Sequence, residues 1–324
     1  MSARRRSSRR RRRRLLGLAL LALPALLYVA LGALAPQWLL QQALRLDAWR
    51  SGAERIELQV DGERWVLLAR GAVDPEQPVW LLLHGFTGSK ENWLPLLRAL
   101  PDATPVLMPD LPGWGESPRR ADADYGYAAQ AERVAALVQQ LDLRKVHLVG
   151  HSMGGGIAAL VAARHPQRLR SVALVSASGV RFRDNAFGQA VLRGEHPFGV
   201  ATVDELDAYL ALVFREPPLL PWPLKSALVE RRIADVEFER EVLAAIARGP
   251  EAFLPGESST AIALPALVLG CAGDPVVDPS AAELYARQIP GASRVELKGC
   301  AHMPMMEQPE AVAAALSQFA EAHR

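Results

Sequence analysis

The stretch Val146-His147-Leu148-Val149-Gly150-His151-Ser152-Met153-Gly154-Gly155-Gly156-Ile157-Ala158-Ala159 decides the fold. Its first four residues form a short apolar run that reads as a buried strand, and the small residues at its end read as a closely packed helix. Between them lies a G-x-S-x-G pattern, which places a serine on a sharp strand-to-helix turn. Glycines two before and two after the serine let neighbouring backbone approach where a Cβ would clash. The hydroxyl then stands above the sheet, near the positive end of the following helix. Ser152 is the expected nucleophile.

Working outward, short apolar runs at residues 56–60, 64–70, 79–83, 106–108, 145–149, 172–176, 267–270 and 294–297 read as strands. Helical patterns at 91–100, 128–141, 155–164, 280–288 and 309–323 fall between them. This alternation predicts an α/β fold with a mostly parallel eight-stranded sheet flanked by helices, opened by a hairpin around Asp61-Gly62. Residues 180–259 break the rhythm, with helical stretches and Pro-rich turns but no strand-like run. That interval is too long for a crossover, and a helical cap inserted after strand 6 is expected. The core then comprises residues 54–179 and 260–324.

A serine hydroxyl is too weakly acidic to attack unaided, so a base must accompany it. Of the seven histidines, only His302 follows the last strand and precedes the last helix, its place in the Ser, Asp, His order of this fold. His302 is therefore the expected base, and His151, adjacent to Ser152, is expected to line the site. Asp274, just past the strand at 267–270, is the preferred acid, with Asp278 and Asp184 as alternatives. Expected oxyanion donors are the main-chain N–H of Met153 and that of Phe86, in the loop His84-Gly85-Phe86-Thr87-Gly88. His84 reads as a structural hydrogen-bonding residue under that loop, and Asp110 as a hydrogen-bonded turn residue. Phe182, Phe187 and Phe214 are candidate substrate-binding residues within a wider apolar set in the cap, which includes Val191, Leu192, Phe198, Tyr209, Leu212 and Val213. Residues 219–223 are candidates for its membrane-facing mouth.

Charge is unevenly placed. Residues 1–14 form a basic tail with nine Arg and no acidic residue, leaving 28 basic against 35 acidic residues in the remainder. The body is acidic, which argues against nucleic acid as a partner. Residues 15–35 carry no charge and span about 30 Å as a helix, the thickness of a bilayer core. A transmembrane anchor at 15–36 is expected, with a cleaved signal peptide as the alternative. Ala33-Leu34-Ala35 has the small-x-small form of a cleavage site. However, Pro36 would follow the cut, and the run exceeds the roughly 7–15 apolar residues of a signal peptide. Basic residues at the N-terminal flank predict a cytoplasmic N-terminus and, in a bacterium, a periplasmic body. Residues 37–53 read as a juxtamembrane helix, with Trp38 and Trp49 suited to the interface.

His84-Gly85-Phe86, the segment 110–117 (Asp-Leu-Pro-Gly-Trp-Gly-Glu-Ser), Gly150-His151-Ser152-Met153-Gly154-Gly155, Gly273-Asp274 and His302 together resemble the α/β-hydrolase superfamily over about residues 56–322. Within it, the segment 84–93 (His-Gly-Phe-Thr-Gly-Ser-Lys-Glu-Asn-Trp) and the apolar N-terminal run look like membrane-anchored monoacylglycerol lipases and related bacterial lipases. The resemblance implies hydrolysis of carboxylic esters, expected to be monoacylglycerol-like lipids, with no metal and no organic cofactor. Ala301 departs from the Gly that usually precedes the histidine. A C–C bond hydrolase or non-lipid esterase with the same triad is the competing enzyme reading, and a non-catalytic binding protein the competing class.

Cys271 and Cys300 are too few for a disulfide framework or a structural zinc site, and two buried free thiols are the first expectation. The alternative is a bridge. The strands preceding the two cysteines should be parallel neighbours about 4.8 Å apart, which brings a bridge within reach.

Overall fold

The structure is a computed structural model and describes residues 22–24 and 26–323. The basic tail at 1–14 and residues 15–21 of the apolar run lie outside the described residues.

The apolar runs form one eight-stranded sheet in the order β1-β2-β4-β3-β5-β6-β7-β8. Its strands are β1 (Glu54–Val60), β2 (Glu63–Arg70), β3 (Val79–Leu83), β4 (Val106–Pro109), β5 (Val146–His151), β6 (Leu169–Val175), β7 (Ala266–Cys271) and β8 (Ser293–Leu297). β2 runs antiparallel to both β1 and β4, and every other pairing is parallel. The hairpin turns at Asp61 and Gly62, both with positive φ, a conformation that Gly adopts freely and Asp tolerates. β3 and β5 are buried throughout because both sheet faces are covered there. β1 and β8 lie at the sheet edges, and apart from the buried Val60 at the end of β1 their residues are exposed or half-buried.

Helices α3 (Leu94–Ala99), α4 (Tyr127–Gln140), α5 (Met153–Arg164), α10 (Ser280–Gln288), α11 (Pro304–Glu307) and α12 (Pro309–Ala322) belong to the core. Residues 153–162 of α5 are buried throughout, so its small residues let it pack closely against β5, β6 and α4. Between β6 and β7 the chain forms α6 (Ala186–Leu192), α7 (Val203–Val213), α8 (Trp222–Arg248) and α9 (Leu254–Ser258). Side-chain caps start the first two: Asn185 accepts the Gly188 N–H, and Thr202 accepts that of Glu205.

At the N-terminus, α1 (Ala22–Leu34) and α2 (Pro36–Arg50) meet at a 114° bend. Pro36 opens α2 at the first helical position, where its missing N–H costs nothing. No single helix among the described residues is long and apolar enough to cross a membrane. The helix expected at 37–53 is present as α2, which starts at Pro36 and ends at Arg50, before a turn at Ser51-Gly52.

The two cysteines are joined: Cys271 and Cys300 form a disulfide with a Cα–Cα distance of 5.6 Å. This corrects the first expectation of free thiols. β7 and β8 are paired parallel neighbours with Cys271 opposite Leu297, so the chain reaches Cys300 three residues later, beside Cys271.

Candidate active site

Ser152 stands alone between β5 and α5 with φ +53° and ψ −117°. A non-Gly residue in this region carries strain of about 1–3 kcal/mol, and its surroundings must hold it there. The Ser152 N–H donates to the Val175 carbonyl at 2.9 Å. Its carbonyl accepts the N–H groups of Gly155, Gly156 and Ser178 at 2.9–3.1 Å. The flanking glycines are steric requirements. A Cβ on Gly150 would fall on the Gly154 carbonyl, and one on Gly154 would lie 2.5 Å from the carbonyl oxygens of both Leu83 and His84.

Above this turn, His302 Nε2 lies 3.0 Å from Ser152 Oγ, and His302 Nδ1 lies 2.8 Å from Asp274 Oδ2. A carboxylate only accepts, so Nδ1 carries the ring hydrogen and the Nε2 lone pair faces the hydroxyl. All three residues are buried. Asp274 Oδ1 accepts the N–H groups of Val276 and Val277 at 2.9 and 3.0 Å. Pro275 has no N–H to compete, so the carboxylate is held by its own turn. The two alternative acids are elsewhere. Asp278 accepts from Ser280 N and Arg183 Nε, while Asp184 is exposed at the pocket wall.

Two contacts missed in the sequence hold the His302 loop. The His302 N–H donates to the carbonyl of Val213, the last residue of α7, at 3.0 Å. The Glu307 carboxylate accepts from Ala301 N at 2.8 Å and from Arg215 N at 2.7 Å, joining the same two segments. The Ala301–Glu307 bond is local, but nothing in the sequence ties either segment to the end of α7, because His302–Val213 and Glu307–Arg215 join residues about ninety positions apart.

Leu83 at the end of β3 is in register with Gly150 of β5, which sets the 84–89 loop beside the elbow. Phe86 and Met153 both border the space above Ser152. Met153 is the first residue of α5, where the helix offers its N–H no partner. Beneath the loop, His84 Nε2 accepts the Leu111 N–H at 3.0 Å, so Nδ1–H donates to the Gly85 carbonyl at 2.8 Å. Burial pushes His84 down to about 4, so it stays neutral near pH 7. Asp110 accepts from Lys90 N and Nζ and from Glu116 N at 2.7–2.8 Å. Burial alone would lower the Lys90 pKa, but the Asp110 and Glu91 carboxylates raise it, and Lys90 stays charged in the interior.

A cavity of about 430 Å³ opens from Ser152 toward the inserted helices. Its wall is mostly apolar: Phe182, Phe187, Val191, Leu192 and Phe198 line it together with residues of α8 and the 276–277 turn. Arg181 is at this wall, its guanidinium 3.9 Å above the Phe253 ring. Two candidate binding residues are placed differently. Phe214 is buried outside the cavity lining, as is Val213 of the wider set, while Tyr209 and Leu212 are half-buried and also outside it. His151 lies behind Ser152: its Nε2–H donates to the His302 carbonyl at 2.7 Å, and its ring packs 4.8 Å from that of His302. Burial and the neighbouring His302 hold its pKa well below the usual histidine value. Its position immediately before the elbow turns the side chain away from the pocket. Leu219 and Trp222 are exposed but do not border the cavity.

The family described as alpha/beta hydrolase fold matches residues 78–309, and the chain belongs to it. The chain is 30% identical over 249 residues to monoacylglycerol lipase abhd6-A of Xenopus laevis, covering 74% of each protein. It is also 30% identical to Lipase 1 of Psychrobacter immobilis over 252 residues, covering 76% of this chain and 77% of that one. A solved structure titled as a membrane phospholipase A and novel bacterial virulence factor superposes with a TM-score of 0.85 at 36% identity. That match covers 97% of this chain and 99% of the other. Lipase-named relatives make this chain a hydrolase, and ester hydrolysis is the family activity they support.

Proposed function

We propose that the chain hydrolyses carboxylic esters of long-chain lipids, monoacylglycerol-like in form, through Ser152, His302 and Asp274. One observation carries this reading: a Ser152 hydroxyl in contact with His302 opens into an apolar cavity large enough for an acyl chain. His302 Nε2 takes the hydroxyl proton as Oγ attacks the ester carbonyl, and Asp274 holds the ring in the tautomer that can accept it. The N–H groups of Phe86 and Met153 receive the negative charge on the carbonyl oxygen. The alcohol leaves with the proton from His302. Water then enters, gives His302 its proton and releases the acid from Ser152. The helices between β6 and β7 act as the cap, with Phe182 and Phe187 against the acyl chain.

We further infer that residues 15–36 anchor the chain in a membrane and that the body lies in an oxidising compartment, the periplasm in a bacterium. The Cys271–Cys300 bond supports this placement, since disulfides persist where reductants do not reach.

The test has two arms. A fluorophosphonate probe should label the wild-type chain and not Ser152→Ala. Turnover across monoacylglycerols and p-nitrophenyl esters should favour acyl chains longer than acetate or butyrate. Labelling with a strict preference for short or non-ester substrates would keep the serine chemistry and reject the lipid.

A further inference from the structure

α2 buries Leu40 and Ala48 against the body, but it also leaves large aromatic side chains outside and turns polar ones toward the body. Trp38 and Trp49 are 50% and 74% exposed on its outside. Gln37, Gln41 and Arg45, spaced four apart and so on one helical face, instead border a cavity of about 710 Å³ between α2 and the body. The opposite wall brings Arg55, Lys90, Glu116 and, from α8, Arg231.

The charges in this cavity fall into two sets. Lys90 Nζ is held by Asp110, Glu91 and Glu116 at 2.7–2.9 Å, and Arg55 by Glu57 and Glu116 at 2.6–2.8 Å. Those cations are already matched. Arg45 and Arg231 have no carboxylate within 4.0 Å among the described residues, and Gln41 has no hydrogen-bond partner among them. Two guanidiniums with unmatched charge and a free amide border one partly enclosed space, beside an apolar part of the wall formed by Leu40, Leu44 and Leu68. That donor set suits a phosphate, because guanidinium binds its oxygens in pairs.

We propose that this cavity binds the phosphate of an anionic lipid headgroup, gripped by Arg45 and Arg231 with Gln41. The exposed apolar outer faces of α1 and α2, including Leu26, Leu27, Leu34 and Trp38, favour a lipid over a free anion. The site is separate from Ser152 and stands whether or not the lipid reading of the catalytic pocket does.

The test uses the full chain in neutral detergent, with dihexanoyl phosphatidylglycerol below its micelle concentration as probe. Its dissociation constant should rise on the order of a hundredfold in Arg45→Gln/Arg231→Gln, from two charge-assisted contacts at about tenfold each. The nine arginines of residues 4–14 are common to both proteins, so the difference isolates the cavity. Equal affinity in both proteins overturns the proposal. Equal protection by inorganic phosphate alone reassigns the cavity to a free anion and overturns the lipid source. Hydrogen exchange on wild-type protein provides a check that needs no variant: the probe should slow the amides of residues 37–48, and unchanged exchange there also overturns the proposal.

Discussion

Cys271 and Cys300 are bonded where the Asp274 and His302 loops leave the sheet, with Asp274 three residues past one sulfur and His302 two past the other. The bridge spans a sequence separation of 29 and ties together two segments that must stay in register for one hydrogen bond. Reduction, or Cys300→Ser, should lower unfolding stability by about 2–4 kcal/mol. Turnover should fall with little change in KM, because the bridge borders the histidine loop and lies outside the cavity lining. Denaturant titration and steady-state kinetics with and without reductant check both. Identical unfolding midpoints would show that the bond contributes nothing.

Asp274→Asn should leave the protein folded, because the side-chain oxygen can still accept from Val276 and Val277. Turnover should nevertheless fall by about 10⁴, the loss seen when an orienting carboxylate becomes an amide. Asp278→Asn and Asp184→Asn should stay near wild type. If either crippled the enzyme while Asp274→Asn did not, the acid would be misassigned.

Acid should destabilise the fold before the carboxylates titrate. Burial holds both His84 and His147 down to about 4 in the folded protein. Each takes up a proton near 6.5 once unfolded. The unfolded chain therefore binds more protons between these values, so stability is complete above pH 6.5 and is lost as pH falls toward 4. His84 alone contributes about 3 kcal/mol of this loss. Urea unfolding at pH 7, 6 and 5 should give steadily falling free energies, and a flat profile would contradict the neutral, buried state of these rings.

Chain-length preference should respond to the wall that α8 gives the cavity. Ala247 lines it and is half-buried. Ala247→Phe should move the p-nitrophenyl ester optimum to shorter chains while activity on acetate stays within a few-fold of wild type. An unchanged optimum would place the acyl chain elsewhere.

The sheet was legible because strands buried on both faces, such as β3 and β5, read as unbroken apolar runs, and the Gly150–Gly154 turn leaves no other residue choice. The contact of Ser152, His302 and Asp274 was legible for the same reason: each follows a strand, and neighbouring strand ends bring such residues together. His151 was placed wrongly because adjacency in sequence does not fix direction, and a side chain next to a sharp turn points opposite to the one on it. Phe214 was counted with the cavity because apolar content cannot separate residues that line a space from those that pack behind it. Glu307 and the Val213 carbonyl were invisible, since a contact between a loop and a helix end across the insertion leaves no periodic trace. The disulfide was within reach only after β7 and β8 were taken as neighbours.

The hydrogen bond from His302 N to the Val213 carbonyl has a consequence for chimaeras. Residues 176–265 look like an exchangeable module, a cover that could be swapped to retune which chains are accepted. Yet the end of α7 is also the post to which the histidine loop is tethered. A graft that reshapes the cavity but shifts this carbonyl slackens the tether and moves the imidazole, and its loss of rate would be mistaken for poor substrate fit. Transplants that keep α7 native up to Val213 and vary only α6 and α8 separate the two effects.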